Sequence, residues 1–447
     1  MSTDAPAFFK NHPNLEVLDL LIPDINGIAR GKKISASLAE KSFDEGILLP
    51  RSLYALDICG GTVEATKLGI ATGDQDYICR PEADTLRPVP WTEIGAAQCM
   101  MEMYDEQGCA FYGSPRQVLR NLVADLHSEG LYPTVAVELE FYLFRDKLDS
   151  AGRPQPLIDP VSGEVAKSIQ VYSMDDLEHY SPFIESVQKY CKIQSVPASA
   201  AVAEYAPGQF EINLHHKNDP VSACDDALYL KRIIKLAARQ HGMTATFMAK
   251  PVLDLAGSGM HIHVSIKDAD GNNRFAKNPD TLKHAVGGLQ ATMAEAMLLF
   301  APHANSFRRF QKNLYVPLSP TWGYNNRTVA LRIPAGADNA RRIEHRVAGA
   351  DANAYIVMTA VLAGILHGHR QTLEPDAPIE GDAIAQREPS LPDDWLGATK
   401  TFAASRWAAQ YMGPTFVDLY TKIKLAEFAW FNREIPPLDF QWYFQTV

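Results

Sequence analysis

Several features that define common protein classes are missing from this 447-residue sequence. Its six cysteines include no CxxC pair, and their spacing fits neither a zinc ribbon nor a compact disulfide framework. Scattered thiols of this kind are typical of a reducing compartment. The first residues lack the basic start and apolar run of a signal peptide, and the longest apolar stretch, residues 354–366, is too short to span a bilayer. We therefore expect a cytoplasmic protein.

Basic residues are also in short supply. Lysine and arginine number 42 against 53 aspartates and glutamates, which gives a formal net charge of −11. A nucleic-acid-binding protein would favour a basic stripe, so this balance argues against nucleic acid as the main partner. No GxxxxGK[ST] loop is present, which excludes the P-loop class of nucleotide enzymes.

The length exceeds the size at which one hydrophobic core stops growing and predicts two domains. Residues 1–110 alternate short apolar runs with turn signals and are predicted to form a small β-rich domain with a helix near residues 36–45. Residues 111–447 mix strands and helices, which makes the chain α+β. The helices are expected near residues 115–130, 225–241, 282–300 and 350–366, with further packed helix at the aromatic C-terminus.

The segment TVAVELEFYLF, residues 134–144, carries the first candidate site. The side-chain period of a strand is two, so Glu138 and Glu140 share one face while Val137 and Leu139 share the other. Two carboxylates on one face repel each other unless a cation compensates. The alternative is an edge strand with a solvated face.

Two further segments add metal-ligand side chains. In AEYAPGQFEI, a Pro-Gly turn separates Glu204 from Glu211 and can bring both carboxylates to the same side of adjacent strands. In GSGMHIHVSI, strand geometry places His261, His263 and Ser265 on one face. Isolated histidines are more often structural, but two alternating histidines after a Gly-Ser-Gly turn favour a site.

A fourth segment, RRIEHR, aligns Arg342, Glu344 and Arg346 on one strand face, and Arg309, Arg327 and Arg332 lie upstream. The alternative interpretation is a strand of surface ion pairs. Guanidinium groups match phosphate and carboxylate geometry, so arginines in short apolar strands indicate anion binding. Five glutamates with one histidine form an oxygen-rich set suited to Mg²⁺ or Mn²⁺ rather than zinc. Together they suggest positioning and charge neutralisation of a transferred phosphoryl group.

The motifs VELEF, EYAPGQFEI, GSGMHIH, NSFRRF, NRTVALRIP and RIEHR, in this order, resemble the glutamine synthetase superfamily along nearly the whole chain. The resemblance implies a β-grasp-like N-terminal domain and a catalytic domain whose curved antiparallel sheet builds a half-barrel. It also implies a dodecamer of two stacked hexamers with active sites shared between neighbouring subunits. The implied reaction joins the γ-carboxyl of glutamate to an amine through γ-glutamyl phosphate, with ATP as phosphoryl donor.

The resemblance also implies roles for individual residues. Glu140, Glu204 and Glu211 would hold one divalent ion, and Glu138, His261 and Glu344 a second. Arg309, Arg346 and Gly257 fall where the family binds the carboxylate substrate, and Arg327 where it stabilises the transferred phosphoryl group. The nucleotide side would comprise His263, Ser265, Arg332 and Arg342.

The chain departs from the glutamine synthetase pattern at the amine site. Glutamine synthetases carry VPGYEAP after the NSFRRF motif, and its glutamate accepts the ammonium proton; here the sequence is QKNLYVP, with Tyr315 in that place. The loop that usually reads FDGSS keeps Asp57 but has Gly60 where the second serine is expected. Tyr172 fits the family's position beside the amine. These changes remove ammonium ligands and leave room for a carbon substituent, which favours an organic amine. Tyr315 favours a monoamine, whereas Asp57 could bind the second ammonium of a polyamine, so both classes stay open.

A second departure concerns the acid substrate. Leu255 and Ala256 precede Gly257, where the family usually has Asn-Gly and its asparagine helps to hold the glutamate α-amino group. Ala256 therefore leaves strict glutamate specificity open. The rival hypotheses are a true glutamine synthetase that uses ammonium and a structural or sensing relative without catalysis.

Overall fold

The computed structural model describes residues 4–167, 169, 171–312 and 315–447. The strands are β1 Val17–Pro23, β2 Ala29–Ser35, β3 Ile47–Pro50, β4 Asp76–Pro81, β5 Arg87–Pro88, β6 Ala96–Tyr104, β7 Tyr132–Arg145, β8 Ala198–Ala203, β9 Gln209–Leu214, β10 Met243–Thr246, β11 Met260–Lys267, β12 Trp322–Tyr324, β13 Leu331–Ile333 and β14 Ile343–His345.

The helices are α1 Ala5–Asn11, α2 Ala39–Glu45, α3 Pro115–Ser128, α4 Met174–His179, α5 Ser181–Ile193, α6 Pro220–Gln240, α7 Arg274–Lys277, α8 Pro279–Thr292, α9 Met297–Phe300, α10 Ala304–Phe307, α11 Ala354–Gln371, α12 Ala383–Gln386, α13 Trp395–Ala403, α14 Arg406–Met412, α15 Pro414–Phe431 and α16 Pro437–Tyr443. Short 3-10 helices occupy Ala36–Leu38, Arg51–Ala55, Glu64–Thr66, Ile70–Thr72, Ala83–Thr85 and Asp338–Ala340.

The first sheet is built from the first six strands. Its order is β2-β1-β6-β4-β3, with β5 also paired to β6. Strand β1 forms an antiparallel hairpin with β2 and runs parallel to β6. A hairpin whose first strand pairs in parallel with a later strand is the arrangement expected of a β-grasp-like unit. The predicted β-rich N-terminal part, including its helix near residues 36–45, is confirmed.

The second sheet carries every segment that the sequence singled out for metal ligation. Its order is β12-β13-β14-β11-β7-β9-β8, with β10 paired to β7. All of these pairs are antiparallel except β12–β13, which is parallel and so departs from the expected all-antiparallel sheet. Helices α3, α6, α8 and α11 pack together behind this sheet. The α+β prediction is confirmed.

Capping side chains decide where several helices begin. Ser114 caps α3, accepting a hydrogen bond from the Gln117 amide. Helix α6 begins five residues before its predicted start, because Asp219 accepts from the first amides and Pro220 occupies the first turn. The helix predicted over residues 282–300 is wrong as one element, since α8 ends at Thr292 and α9 begins at Met297.

The C-terminus also differs from expectation. Helix α15 ends at Phe431, and α16 restarts only after Pro436 and Pro437. Nearly every residue from 432 to 447 is exposed, including Phe440, Trp442 and Phe444. The predicted helical structure is confirmed, but the aromatic side chains beyond residue 431 are largely exposed. No helix within the described ranges combines the length and apolarity needed to cross a bilayer.

Candidate active site

The centre of the site is β7, where Glu138 and Glu140 project from one face of the sheet. Val137 and Leu139, which alternate with them along the strand, are completely buried in the core. Glu138 lies opposite His261 of β11, and Glu140 lies opposite Glu211 of β9. The predicted two-faced strand is confirmed, and its polar face is central in the sheet rather than at an edge.

A tight turn adds a third carboxylate to the Glu140–Glu211 pair. The Glu204 amide donates to the Gln209 carbonyl at 2.9 Å, which closes the Pro207–Gly208 turn between β8 and β9. Glu140, Glu204 and Glu211 each offer an oxygen within 4.8 Å of the others. The three residues that the sequence assigned to one ion are therefore neighbours.

The second predicted ligand set surrounds His261. Its Nδ1 lies 3.4 Å from Glu138 Oε2 and 3.9 Å from Glu344 Oε1, and its Nε2 lies 3.8 Å from Glu140 Oε1. His263 also reaches this cluster, with its Nε2 2.8 Å from Glu138 Oε1. Possible three-ligand groups are Glu138–Glu211–His261 and Glu138–His263–Glu344. The sequence placed His263 with the nucleotide and did not identify it as a possible ligand, although its alternation with His261 was a usable signal.

The carboxylates of this cluster have displaced pKa values. Burial, then the charges of Glu138 and Glu140, raise the pKa of Glu211 to about 9. Burial, then the charge of Glu140, raise the pKa of Glu204 to about 7. Burial also opposes ionisation of Glu138, but hydrogen bonds from His261 and His263 outweigh it and hold the Glu138 pKa well below its usual range. The raised pKa values show that the crowded carboxylates lack enough positive charge around them to be ionised together. This set of oxygen and nitrogen donors therefore fits a divalent cation.

Arginines flank the other side of Glu344. Arg332 Nη1 donates to Glu344 Oε2 at 2.8 Å, and Arg346 Nη1 donates to Glu344 Oε1. Despite burial, the Arg346 charge and then His261 lower the pKa of Glu344 to about 2. Arg332 also donates to Asn325 Oδ1 at 2.9 Å. Glu344 therefore stays ionised and joins the metal cluster to the arginines. The interpretation of this strand as a row of surface ion pairs does not hold, since Glu344 and Arg346 are buried.

Arg309 enters the site through a gap made by two glycines. It is buried, and its Nη1 donates to the Val347 carbonyl at 2.7 Å. A Cβ on Gly257 would lie 2.7 Å from Arg309 Cγ, and one on Gly259 would lie 2.8 Å from Arg309 Nη2. Any larger residue at either glycine would displace the guanidinium, which explains the Gly-Ser-Gly sequence here.

The remaining arginines lie at the edges of the cluster. Arg342 Nε donates to His263 Nδ1 at 3.0 Å, and Ser265 continues the same face of β11, opposite Thr134 of β7. Arg327 is exposed, and its charge acts with that of Arg346 to oppose the rise in the Glu204 pKa. Cationic groups therefore lie on both the Glu204 side and the Glu344 side of the carboxylates.

The loop before Gly257 is held by side chains that the sequence analysis did not identify. Three consecutive carbonyls each accept one hydrogen bond: Leu255 from Lys250 Nζ at 2.5 Å, Ala256 from Tyr142 Oη at 2.6 Å and Gly257 from Gln209 Nε2 at 3.0 Å. Leu255 and Ala256 also pack with Tyr142 in a small apolar cluster. Gln209 was visible in the APGQFE motif, whereas the Tyr142 contact depends on the tertiary fold.

The three residues predicted at the amine site lie in loops. Tyr172 and Tyr315 are exposed and both have positive φ, at 60° and 53°. The Tyr172 amide donates to the Ala203 carbonyl, next to Glu204. Asp57 lies in the N-terminal part of the chain, where its Oδ1 accepts from the amides of Cys59 and Gly61. Left-handed backbone at a bulky residue is uncommon and often marks functional sites.

Comparison with known proteins bears on this geometry. Residues 112–443 match the family described as glutamine synthetase, catalytic domain. The chain is 42% identical over 439 residues to gamma-glutamylputrescine synthetase PuuA of Escherichia coli K12, covering 97% of this chain and 93% of that protein. It is 33% identical over 433 residues to a glutamate–isopropylamine ligase of a Pseudomonas species, covering 94% of this chain and 93% of that protein. The solved structure of apo GmaS has a TM-score of 0.85 at 24% identity, covering 99% of this chain and 100% of that one, which confirms the expected fold.

Proposed function

The chain belongs to the glutamine synthetase family, and we propose from this premise that it joins the γ-carboxyl of glutamate to an organic amine with ATP as phosphoryl donor. The observation that carries the proposal is the cluster of five glutamates and two histidines, with buried arginines directly beside it. The relatives at 42% and 33% identity are named for amine ligation, and the similarity extends over nearly their whole lengths. A non-catalytic relative would not need to keep this cluster complete.

The metal-binding residues divide into two sets. Glu140, Glu204 and Glu211, whose oxygens lie within 4.8 Å of one another, would hold one Mg²⁺ or Mn²⁺ ion. Glu138, His261 and Glu344 would hold the second, since His261 Nδ1 lies 3.4 Å from Glu138 Oε2 and 3.9 Å from Glu344 Oε1. Such ions, when bound, neutralise phosphate charge and align the phosphoryl group with the attacking carboxylate. Glu344 keeps its charge because Arg346 and Arg332 bind its two oxygens.

The substrates bind around the two sets of ligands. Arg309, Arg346 and Gly257 bind the carboxylate substrate, and Arg327 stabilises the phosphoryl group in transfer. Burial lowers the pKa of Arg309, although the charges of Glu140 and Asp351 oppose this, and an anionic ligand would further stabilise the buried guanidinium. The nucleotide side comprises His263 and Ser265 on β11, Arg332 on β13 and Arg342 immediately before β14, and these three strands adjoin one another.

An organic amine fits the amine site better than ammonium. Tyr315 presents a phenol, which is larger than a carboxylate, where glutamine synthetases carry a flap carboxylate. Asp57 supplies one carboxylate for an ammonium group, and Tyr172 lies beside Glu204. The identity of 42% to a relative named gamma-glutamylputrescine synthetase makes a short diamine the first candidate, with a monoamine as the alternative.

Assembly is part of the proposal. Asp57 lies in the loop between β3 and β4 of the first sheet, whereas the metal cluster lies on the second sheet, and a neighbouring copy would supply Asp57 if sites are shared between subunits. The exposed aromatic residues of α15 and α16, among them Trp430, Phe440 and Trp442, support burial against another copy. We propose a homo-oligomer, with a dodecamer of two rings as the expected state.

The proposal also includes the cellular compartment and the domain division. All six cysteines are free, which supports a reducing, cytoplasmic environment. We place the domain division near residue 110, since β6 of the first sheet ends at Tyr104 and α3 begins at Pro115.

The test is amine-dependent ADP release with ATP, Mg²⁺ and glutamate, with the product identified by mass. The amine panel is ammonium, putrescine, spermidine, ethanolamine, short alkylamines and phenethylamine. Strong turnover with one organic amine and little with ammonium supports the proposal and identifies the amine class. If ammonium is the best substrate, the enzyme is a glutamine synthetase and the interpretation of Tyr315 is wrong.

A further inference from the structure

A completely buried lysine, Lys424, lies on α15 far in sequence from every motif described above. Its Nζ donates to Asn26 Oδ1 at 2.7 Å and to Glu427 Oε2 at 2.8 Å. The same nitrogen lies 5.4 Å from the centre of the Tyr420 ring. A buried ammonium needs such partners, because an unpaired charge in the core is strongly unfavourable.

Both partners of Lys424 reach the backbone beside Asp57. Asn26 Nδ2 donates to the Leu56 carbonyl at 3.2 Å. Glu427 Oε1 accepts from the Ile58 amide at 2.8 Å. The residues immediately before and after Asp57 are thus held by two side chains, and both side chains are bound to one lysine.

The loop between these two contacts leaves part of Asp57 free for a ligand. Its Oδ1 accepts from the Cys59 amide at 2.9 Å and from the Gly61 amide at 2.8 Å. These bonds fix the orientation of the carboxylate, and no hydrogen bond within the described chain occupies its Oδ2. With one oxygen committed to the loop and the other available, Asp57 is arranged to accept from a cation.

We infer that Lys424 is a positioning residue for the amine site: through Asn26 and Glu427 it fixes the loop that presents Asp57 to the ammonium group. The inference rests on the proposed function. Lys424 itself lies too deep to touch a substrate, so its effect reaches the amine only through the position of Asp57. Loss of Lys424 should weaken amine capture while phosphoryl transfer from ATP to glutamate continues.

The experiment uses the full-length enzyme with Lys424→Met and the double variant Lys424→Met/Glu427→Gln. The double variant leaves no unpaired charge in the core, and a glutamine can still accept from the Ile58 amide. KM is measured separately for amine, glutamate and ATP. Hydroxamate formation is measured with hydroxylamine, which is largely uncharged near neutral pH and needs no ammonium-binding carboxylate.

For both variants we expect the amine KM to rise about tenfold or more, with the glutamate and ATP KM values changed less than about threefold. Hydroxamate formation should persist near the wild-type rate. The control is Lys217→Met/Asp226→Asn, which removes another lysine–carboxylate pair, with a buried Asp226 and a partly exposed Lys217, away from the Asp57 loop. It should lower Tm without changing the amine KM.

Equal changes in all three KM values, or an unchanged amine KM in a folded double variant, would overturn the inference. If Lys424→Met does not fold, the double variant decides the question. Failure of the proposed function looks different, because wild-type enzyme would then release no ADP in response to any organic amine.

Discussion

Glu140 and Glu211 lie directly opposite each other on adjacent antiparallel strands, so that two carboxylates meet at one point of the sheet. Glu204 brings a third oxygen within 4.8 Å of theirs. Without a cation, such a group can be accommodated only if protons remain bound, which is why the pKa values of Glu211 and Glu204 are raised. The site is therefore built for a positive charge that the protein itself does not supply.

The first prediction concerns stability against pH. The folded-state pKa values of about 9 for Glu211 and about 7 for Glu204 exceed the ordinary glutamate value of about 4.3. The stabilisation from these bound protons is complete below about pH 4 and is lost as pH rises through about 7 and about 9. We expect the Tm of EDTA-treated protein to fall between about pH 6 and about pH 9.

Saturating Mn²⁺ or Mg²⁺ should abolish most of that fall, since the ion binds the ionised carboxylates. Burial raises the pKa of Glu102 to about 7, so this residue contributes a similar loss that metal leaves unchanged. The difference between curves with and without metal is the measurement, by differential scanning fluorimetry. Glu211→Gln should shrink this difference, and identical curves would rule out a metal site here.

The polar face of this sheet could be predicted from sequence because strand periodicity is short-range. Glu138 and Glu140 on β7, and His261 and His263 on β11, were assigned to one face from alternation alone. Helix bounds were less accurate, because caps such as Asp219 and Asn353 decide where α6 and α11 begin.

Long-range contacts could not be predicted in this way. The Tyr142–Ala256 and Lys424–Asn26 hydrogen bonds join residues 114 and 398 positions apart. No local pattern encodes such pairs. His263 was not identified as a possible metal ligand: its alternation with His261 placed both on one face, but its distance of 2.8 Å to Glu138 depends on strand register and side-chain rotamer.

The second prediction concerns the metal ligands. Glu344→Ala removes one ligand and leaves Arg332 and Arg346 without their carboxylate partner. We expect ADP release to fall by at least roughly 100-fold. Glu140→Ala should do the same. Glu129→Ala, which breaks a surface pair with Arg370, serves as the control and should retain normal turnover. Normal turnover in Glu344→Ala or Glu140→Ala would rule out their assignment as ligands.

The third prediction concerns the loop that precedes Gly257. Tyr142→Phe deletes the hydroxyl that holds the Ala256 carbonyl. One such hydrogen bond is worth about 1 kcal/mol, so the glutamate KM should rise about fivefold while the amine and ATP KM values stay near wild type. Tyr229→Phe is the matched control, because it removes another buried hydroxyl that donates to a backbone carbonyl, that of Thr85. Equal effects of the two substitutions on glutamate KM would contradict a substrate-positioning role.

The fourth prediction addresses the amine. Tyr315 is 61% exposed, and we propose that it occupies the place of the flap carboxylate of glutamine synthetases, facing the amine. Tyr315→Glu would restore that negative charge and shorten the side chain. We expect kcat/KM for ammonium to rise relative to that for the best organic amine by about tenfold, which corresponds to about 1.4 kcal/mol.

The control for this substitution is Tyr112→Glu, which adds a carboxylate at another exposed tyrosine, 40% accessible, in the segment between β6 and α3. It should leave the ratio unchanged, because a charge on that surface does not select between amines. The measurement is ADP release with each amine under matched ionic strength, since exposed charges are screened by salt. A ratio that moves equally in both variants would assign the effect to overall charge, and one that moves in neither would place the amine away from Tyr315.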